Sequence, residues 1–179
     1  MEKIILGSGK IYMMEYTGTT IPEDATIETE GNLAGKVSGG ASLEYKPTYY
    51  TAKSDDGLVQ KTILTDEEVT LKTGILTKIG DLLAKICSTA KTTSTAGKKT
   101  VKIGGVGNQN GKQYLIRFLH EDKVDGDVRI TIAGHNESGF TLAFAKDKET
   151  IVDAEFKALP HDTEGTLVVY EEEIITAAE

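Results

Sequence analysis

Tryptophan is absent from this chain, cysteine occurs once, proline three times, and arginine only at Arg117 and Arg129, in 179 residues. Each shortage excludes something. With Cys87 alone, no intrachain disulfide can form, so a disulfide-framework fold is ruled out and a reducing site of synthesis is expected. No apolar run approaches the ~20 residues that a membrane-spanning helix needs. The opening stretch from Met1 to Gly7 holds one lysine and three apolar residues before the glycine, which is not the pattern of a signal peptide. These readings point to a protein made in the cytoplasm with no membrane anchor. Lysines are scattered and the net charge is −8, so tight binding of DNA or RNA, which needs clustered cations against phosphate, is not expected.

Recognisable chemistry is equally scarce. His120, His135 and His161 share no metal-ligand spacing and read as exposed turn residues. Cys87 reads as a small buried hydrophobe at the end of a helix. The glycine-rich stretch from Gly104 to Gly111 matches no phosphate-binding pattern and precedes no helix, so a hairpin turn is expected there. The runs Asp66-Glu67-Glu68 and Glu171-Glu172-Glu173 do not converge on one ion, because neighbours on a strand point to opposite faces. The residues therefore indicate no catalytic, cofactor-binding or metal site. Seven tyrosines and four phenylalanines are too few and too dispersed for a base-stacking platform. Tyr49 and Tyr50, beside Lys53, stand out as a candidate contact tip, since tyrosine is enriched at interfaces.

Glycine is plentiful, at 19 residues, and it accompanies a period-2 pattern of apolar residues. Val128, Ile130 and Ile132 alternate with polar neighbours; so do Phe140, Leu142 and Phe144, then Val152, Ala154, Phe156 and Ala158, and finally Leu167 and Val169. Alternation of this kind marks strands with one dry face. Polar turns separate the runs: Val124 to Asp127, Asn136 to Gly139, Lys146 to Glu149 and His161 to Gly165. Tyr114, Ile116 and Phe118 define another strand, with Val101 to Ile103 as its expected partner. Further strands are expected at Ile4 to Leu6, Lys10 to Met14 and Gln60 to Lys72. Ala41 to Tyr50 meets Pro47, which cannot donate a ladder hydrogen bond, so this strand belongs at an edge.

One segment has helical spacing. Ile75, Leu76, Ile79, Leu82, Leu83 and Ile86 recur at steps of three and four, predicting a helix over about 74–87 capped by Thr73 or Thr77. The Thr-rich stretch from Ser88 to Lys99 reads as a loop. The expected fold is one mainly β domain over 1–179. It is an antiparallel β-sandwich or partial barrel with one flanking helix, an extended hairpin arm at about 46–60 and an acidic tail at 171–179.

Several stretches together carry a resemblance: Asp55-Asp56-Gly57-Leu58-Val59, Glu67 to Thr73 leading into the helix, Tyr114 to Phe118, Gly139 to Asp147, and Ala154 to Ala158. Over most of its length the chain resembles the major tail tube proteins of long-tailed phages and prophages. Their architecture is shared with type VI secretion tubes. The resemblance implies a β-sandwich flanked by a helix, hexameric rings joined through one continuous inner barrel, and rings stacked into a hollow tube for the genome. It implies a place in the virion tail. The implied partners are other copies of the chain together with tape measure, tail terminator and distal tail proteins; DNA would pass through without specific binding. On this reading Tyr49, Tyr50, Lys53, Asp55 and Asp56 are expected at contacts between rings or subunits. Asp66 and Glu68 are expected to face the lumen, where carboxylates would let a polyanion slide.

Two other classes compete. An immunoglobulin-like binding or decoration module shares the β pattern, and would behave as a monomer with a ligand surface. A small hydrolase on a jelly-roll or cupin barrel would need clustered histidines and carboxylates, which the spacing does not offer.

Overall fold

The computed structural model describes residues 8–18, 20–77, 79–142 and 144–175. The expected strand at Ile4 to Leu6 lies outside them, as does the end of the expected acidic tail. In chain order the elements are β1 (Lys10–Tyr16), α1 (Asp24–Ile27), β2 (Leu33–Lys53), β3 (Gln60–Leu76), α2 (Ile79–Ile86), β4 (Lys91–Thr95) and β5 (Lys98–Lys102). They continue with β6 (Gln113–His120), β7 (Val128–Leu142), β8 (Val152–Leu159) and β9 (Val168–Glu172). The protein is mainly β and antiparallel, as the alternation predicts.

The main sheet runs β6-β1-β2-β3-β8-β7-β9, and β6 also pairs with β7. Those pairings close six strands into a barrel within one chain. Alternation on β8 shows how it fills: Val152, Ala154, Phe156 and Ala158 are buried, while Asp153, Glu155 and Lys157 face outward. Ile11, Met13, Leu71, Ile75, Ile116, Ile132 and Phe156 meet in the same core, and α2 adds Leu82 and Ile86. Each such side chain contributes about 1.5–3 kcal/mol on leaving water. A second cluster lies on the other side of β1 and β6, where Tyr12, Tyr16, Leu115 and Leu119 pack under Ile27 of α1. With both faces covered, β6 is buried from Tyr114 to His120.

Five local readings are corrected. Helix α2 begins at Ile79, so Thr73, Ile75 and Leu76 belong to β3; Thr73 pairs with Ala154 and Ile75 with Val152. The apolar residues of a strand end followed directly by a helix had merged into one helical stripe. The position before Ile79 is Lys78, outside the described residues, and Thr73 is a strand residue rather than a cap. Ser88 to Lys99 is not all loop: β4 and β5 form a hairpin through Ala96 and Gly97, and Val101 pairs with Thr92 rather than with β6. Threonine's branched side chain suits a strand as well as a loop. The residues from Gly104 to Gly111 accordingly form a connection with a 3-10 turn at Val106–Asn108, not a hairpin turn. Asn136 to Gly139 is a bulge inside one long β7, between Asn136 and Phe140, where turn chemistry was expected to separate two strands. At the other end of the chain, Glu171 and Glu172 close β9 instead of opening a tail.

Candidate assembly surface

Beyond the barrel, β2 and β3 continue together as a two-stranded arm. Their pairing runs without interruption by other strands from Tyr45↔Val69 to Lys53↔Gln60, with one shift between Thr48 and Tyr49. The tip is a tight polar turn. Asp56 bonds Ser54 and accepts from the Leu58 N–H at 3.0 Å, and Gly57 has φ +71°. Those hydrogen bonds, led by the Ser54 hydroxyl, lower the pKa of Asp56. The expected arm at 46–60 is therefore present, and Pro47 sits on its edge strand.

Register decides which side chains share a face. Leu43, Tyr45, Tyr49 and Leu64 continue the plane of the core residues Val69 and Leu71 into solvent. Tyr49 and Tyr50 are each 59% exposed, and Leu58 and Val59 project at the tip. Alternation sends Tyr49 and Tyr50 to opposite faces, so they do not form one patch. Lys53, Asp55 and Asp56 gather at the tip. Tyr45 donates to Glu67 at 2.5 Å, and that bond drives the Tyr45 pKa up to about 12.

The other face is charged. Asp66 and Glu68 share it, but they are two of many. Lys157 meets Glu68 at 3.3 Å and Glu137 at 3.8 Å, and Lys72 bridges Glu44 at 3.6 Å and Glu155 at 3.5 Å. Lys46 adds an ion pair to Glu44 at 3.1 Å, and His135 one to Glu137 at 3.1 Å if its imidazole is protonated. The bond from Lys157 to Glu68 raises the lysine's pKa, helped by Glu137 and Asp66. This is a woven field of both signs with an acidic surplus. Its trace in the sequence is the alternation of Glu44 with Lys46 and of Glu155 with Lys157.

Among the described residues, two borders of this four-stranded β2-β3-β8-β7 sheet stay open. β2 meets β1 only through Leu33–Lys36, so from Ala41 to Lys53 no described strand lies beside its outer edge. β7 meets β6 only as far as Gly134, so its edge from His135 to Leu142 is likewise free. A shallow depression of about 510 Å³ lies over the bulges at Gly39-Gly40 and Ser138-Gly139, beside Lys72 and Glu155.

No group of histidine, cysteine and carboxylate side chains suited to a metal ion occurs among the described residues. Two histidines depart from expectation. His120 and His161 are buried, not exposed in turns; the His120 ring lies 2.6 Å from the Ser8 carbonyl. Cys87 is buried, and burial raises its thiol pKa. Among the described residues no helix is long and apolar enough to cross a membrane. No family model and no curated protein matches the chain.

Proposed function

We propose that this chain is a structural subunit of a phage-type tail tube, working by self-assembly into stacked rings around a channel. The observation that carries this reading is the open four-stranded sheet, with one border on β2 and another on β7 that no strand covers among the described residues. Unpaired strand edges are templates for pairing with another chain. The two borders differ, so pairing β2 of one copy with β7 of the next is head-to-tail. Such contacts repeat around an axis and close into a ring when the rotation permits. A sheet continued through many strands encloses a wide lumen.

The arm supports the same reading. An isolated two-stranded hairpin is marginal in water, and this one exposes Leu43, Tyr45, Tyr49, Tyr50, Leu58, Val59, Ile63 and Leu64. A neighbouring subunit would bury that surface. The charged face that includes Asp66 and Glu68 would then line the channel. Ion pairs of Lys46, Lys72 and Lys157 hold its cations in place there, leaving little free positive charge to grip a passing polyanion.

The test is size-exclusion chromatography followed by negative-stain electron microscopy across a concentration series. Rings or tubes are the expected outcome. A single monomeric species at millimolar concentration would overturn the reading and favour the immunoglobulin-like module.

A further inference from the structure

Charge is segregated along this chain in a way the ring model does not use. From Ser88 to His120 there is no aspartate or glutamate, but there are five lysines: Lys91, Lys98, Lys99, Lys102 and Lys112. Beyond Lys157 no lysine or arginine occurs, while Glu171, Glu172 and Glu173 follow one another.

The fold gathers four of them, Lys91, Lys98, Lys99 and Lys102, on the β4–β5 hairpin, which joins no other strand among the described residues; Lys112, just before β6, is ion-paired with Glu15. One hairpin face is turned to α2: Lys99 is ion-paired with Asp81, and Lys99 and Val101 lie against Gly80. The opposite face presents the pairs Lys91↔Lys102, Thr93↔Thr100 and Thr95↔Lys98, all on one side by their register. Lys91 donates to Asn108 at 2.5 Å. Among the described residues, Lys98 and Lys102 have no ion pair, whereas Lys99 beside them does. Two large apolar side chains just beyond β5, Ile103 and Val106, are exposed.

The second group sits at the β9 end. Glu173 donates its N–H to the Asp127 carbonyl at 2.8 Å, which ties the end of β9 to the turn before β7. Glu172 and Glu173 are exposed there, beside the exposed Val124, Tyr170 and Ile174. Among the described residues, no ion pair links this rim to the hairpin within one copy.

We propose that the outer face of the Lys91–Lys102 hairpin docks on the β9 rim, around Glu172 and Glu173, of a second copy of this chain. Both surfaces combine like charges with exposed apolar side chains, so each supplies what the other lacks in charge and both gain by leaving water. A nucleic acid would satisfy the lysines but would be repelled by a chain of net charge −8. Hairpin and rim are different surfaces, so the contact is head-to-tail and can pass from copy to copy. The inference rests on the self-association proposed above and adds a named contact to it.

The experiment uses two surface variants of the full chain, Lys98→Glu/Lys102→Glu and Glu172→Lys/Glu173→Lys, checked by circular dichroism for an unchanged β spectrum. Sedimentation velocity at about 50 mM and about 500 mM salt reads association, since exposed charges are screened within a few ångströms at the higher salt. Each variant alone should associate about tenfold or more weakly than the parent at low salt. An equimolar mixture should recover, because every contact between unlike variants again joins opposite charges. A mixture no better than its components overturns the proposal. So does a parent chain that binds a duplex oligonucleotide in a salt-dependent way without self-associating. Rings that form equally well with both variants overturn this contact but leave the tail-tube reading standing; a parent that never associates overturns both.

Discussion

Arg117 is 1% exposed, and its guanidinium makes most of its bonds to side chains far away in sequence. Its Nε donates to Thr131 at 2.9 Å, and its Nη1 pairs with Asp24 and, at 3.1 Å, with Glu28. Arg129 reaches the same Glu28 at 2.8 Å and Asp127 at 3.2 Å. Both arginines of the chain thus pin the short α1 against the barrel. A four-residue helix cannot hold itself by backbone bonds alone. Asp24 is half exposed and Glu28 keeps Arg129, so removing Arg117 costs chiefly its charge-assisted hydrogen bonds, at about 1–3 kcal/mol. Arg117→Ala should therefore lower the unfolding free energy by about that amount in urea denaturation, and a loss under about 1 kcal/mol would show the cluster to be an ordinary surface pair. Cys87 gives a second check at this scale. Its raised pKa and burial predict a thiol that stays unreactive to a disulfide reagent in the native protein and reacts fully in denaturant. Rapid native labelling would contradict its place in the core. Little of this was legible beforehand. Arg117 sits on a strand whose alternate residues were correctly read as buried, but its own burial follows from α1 covering the outer face, and α1 carries no periodic signal.

Among the elements, strands with one wet face were the legible ones. β8 follows period-2 patterning, and Pro47 marked an edge strand correctly; β6 shows the alternation in sequence although both of its faces are buried. Boundaries and partners were less legible, because they depend on contacts distant in sequence. β6 pairs with β1 and β7, not with the residues just before it. Gly134 shows how tight one junction is: it lies on β7 where pairing with β6 gives way to pairing with β8, and a Cβ there would be 2.0 Å from the Lys157 carbonyl oxygen. Gly134→Ala must push the β7 and β8 backbones apart, and should cost about 1–3 kcal/mol in thermal unfolding. An unchanged Tm would show the junction to be slack. In the arm, the bond from Tyr45 to Glu67 sets a pH limit. A raised pKa means the interaction is fully present below tyrosine's ordinary value near 10 and fades as pH climbs through about 12. Glu67→Gln should bring the Tyr45 ionisation down toward the other tyrosines in an ultraviolet titration. No change on substitution would remove that bond from the account.

For the molecule as a whole, a closed barrel carries a sheet whose far part stays open among the described residues. The sequence pointed to a β domain with an arm, and both are present. It gave no sign that six strands would close within one chain, since closure depends on β6 meeting both β1 and β7. The candidate contact residues were partly legible for the same reason. Lys53, Asp55 and Asp56 meet at the tip because they are sequential, whereas the face shared by Asp66, Glu68, Glu44 and Glu155 emerges only from register across three strands. If the arm joins copies, deleting Lys53 to Leu58 should leave the barrel folded, with an unchanged β spectrum, and abolish rings in electron micrographs. Normal tubes from the shortened chain would remove the arm from the assembly contact.

The irregularities on the sheet's two outer strands lie almost level. Gly39 and Gly40, with φ of +80° and +88°, interrupt β2 opposite Thr73 and Gly74, and the insertion in β7 falls opposite Ala154 and Phe156, one ladder step along β8. Extra residues on both flanks of an otherwise regular ribbon make a crease across it. The compass bearing of the protruding part is thus written at that crease rather than in the hydrophobic interior, and lengthening or trimming it would steer the protrusion while the body kept its form.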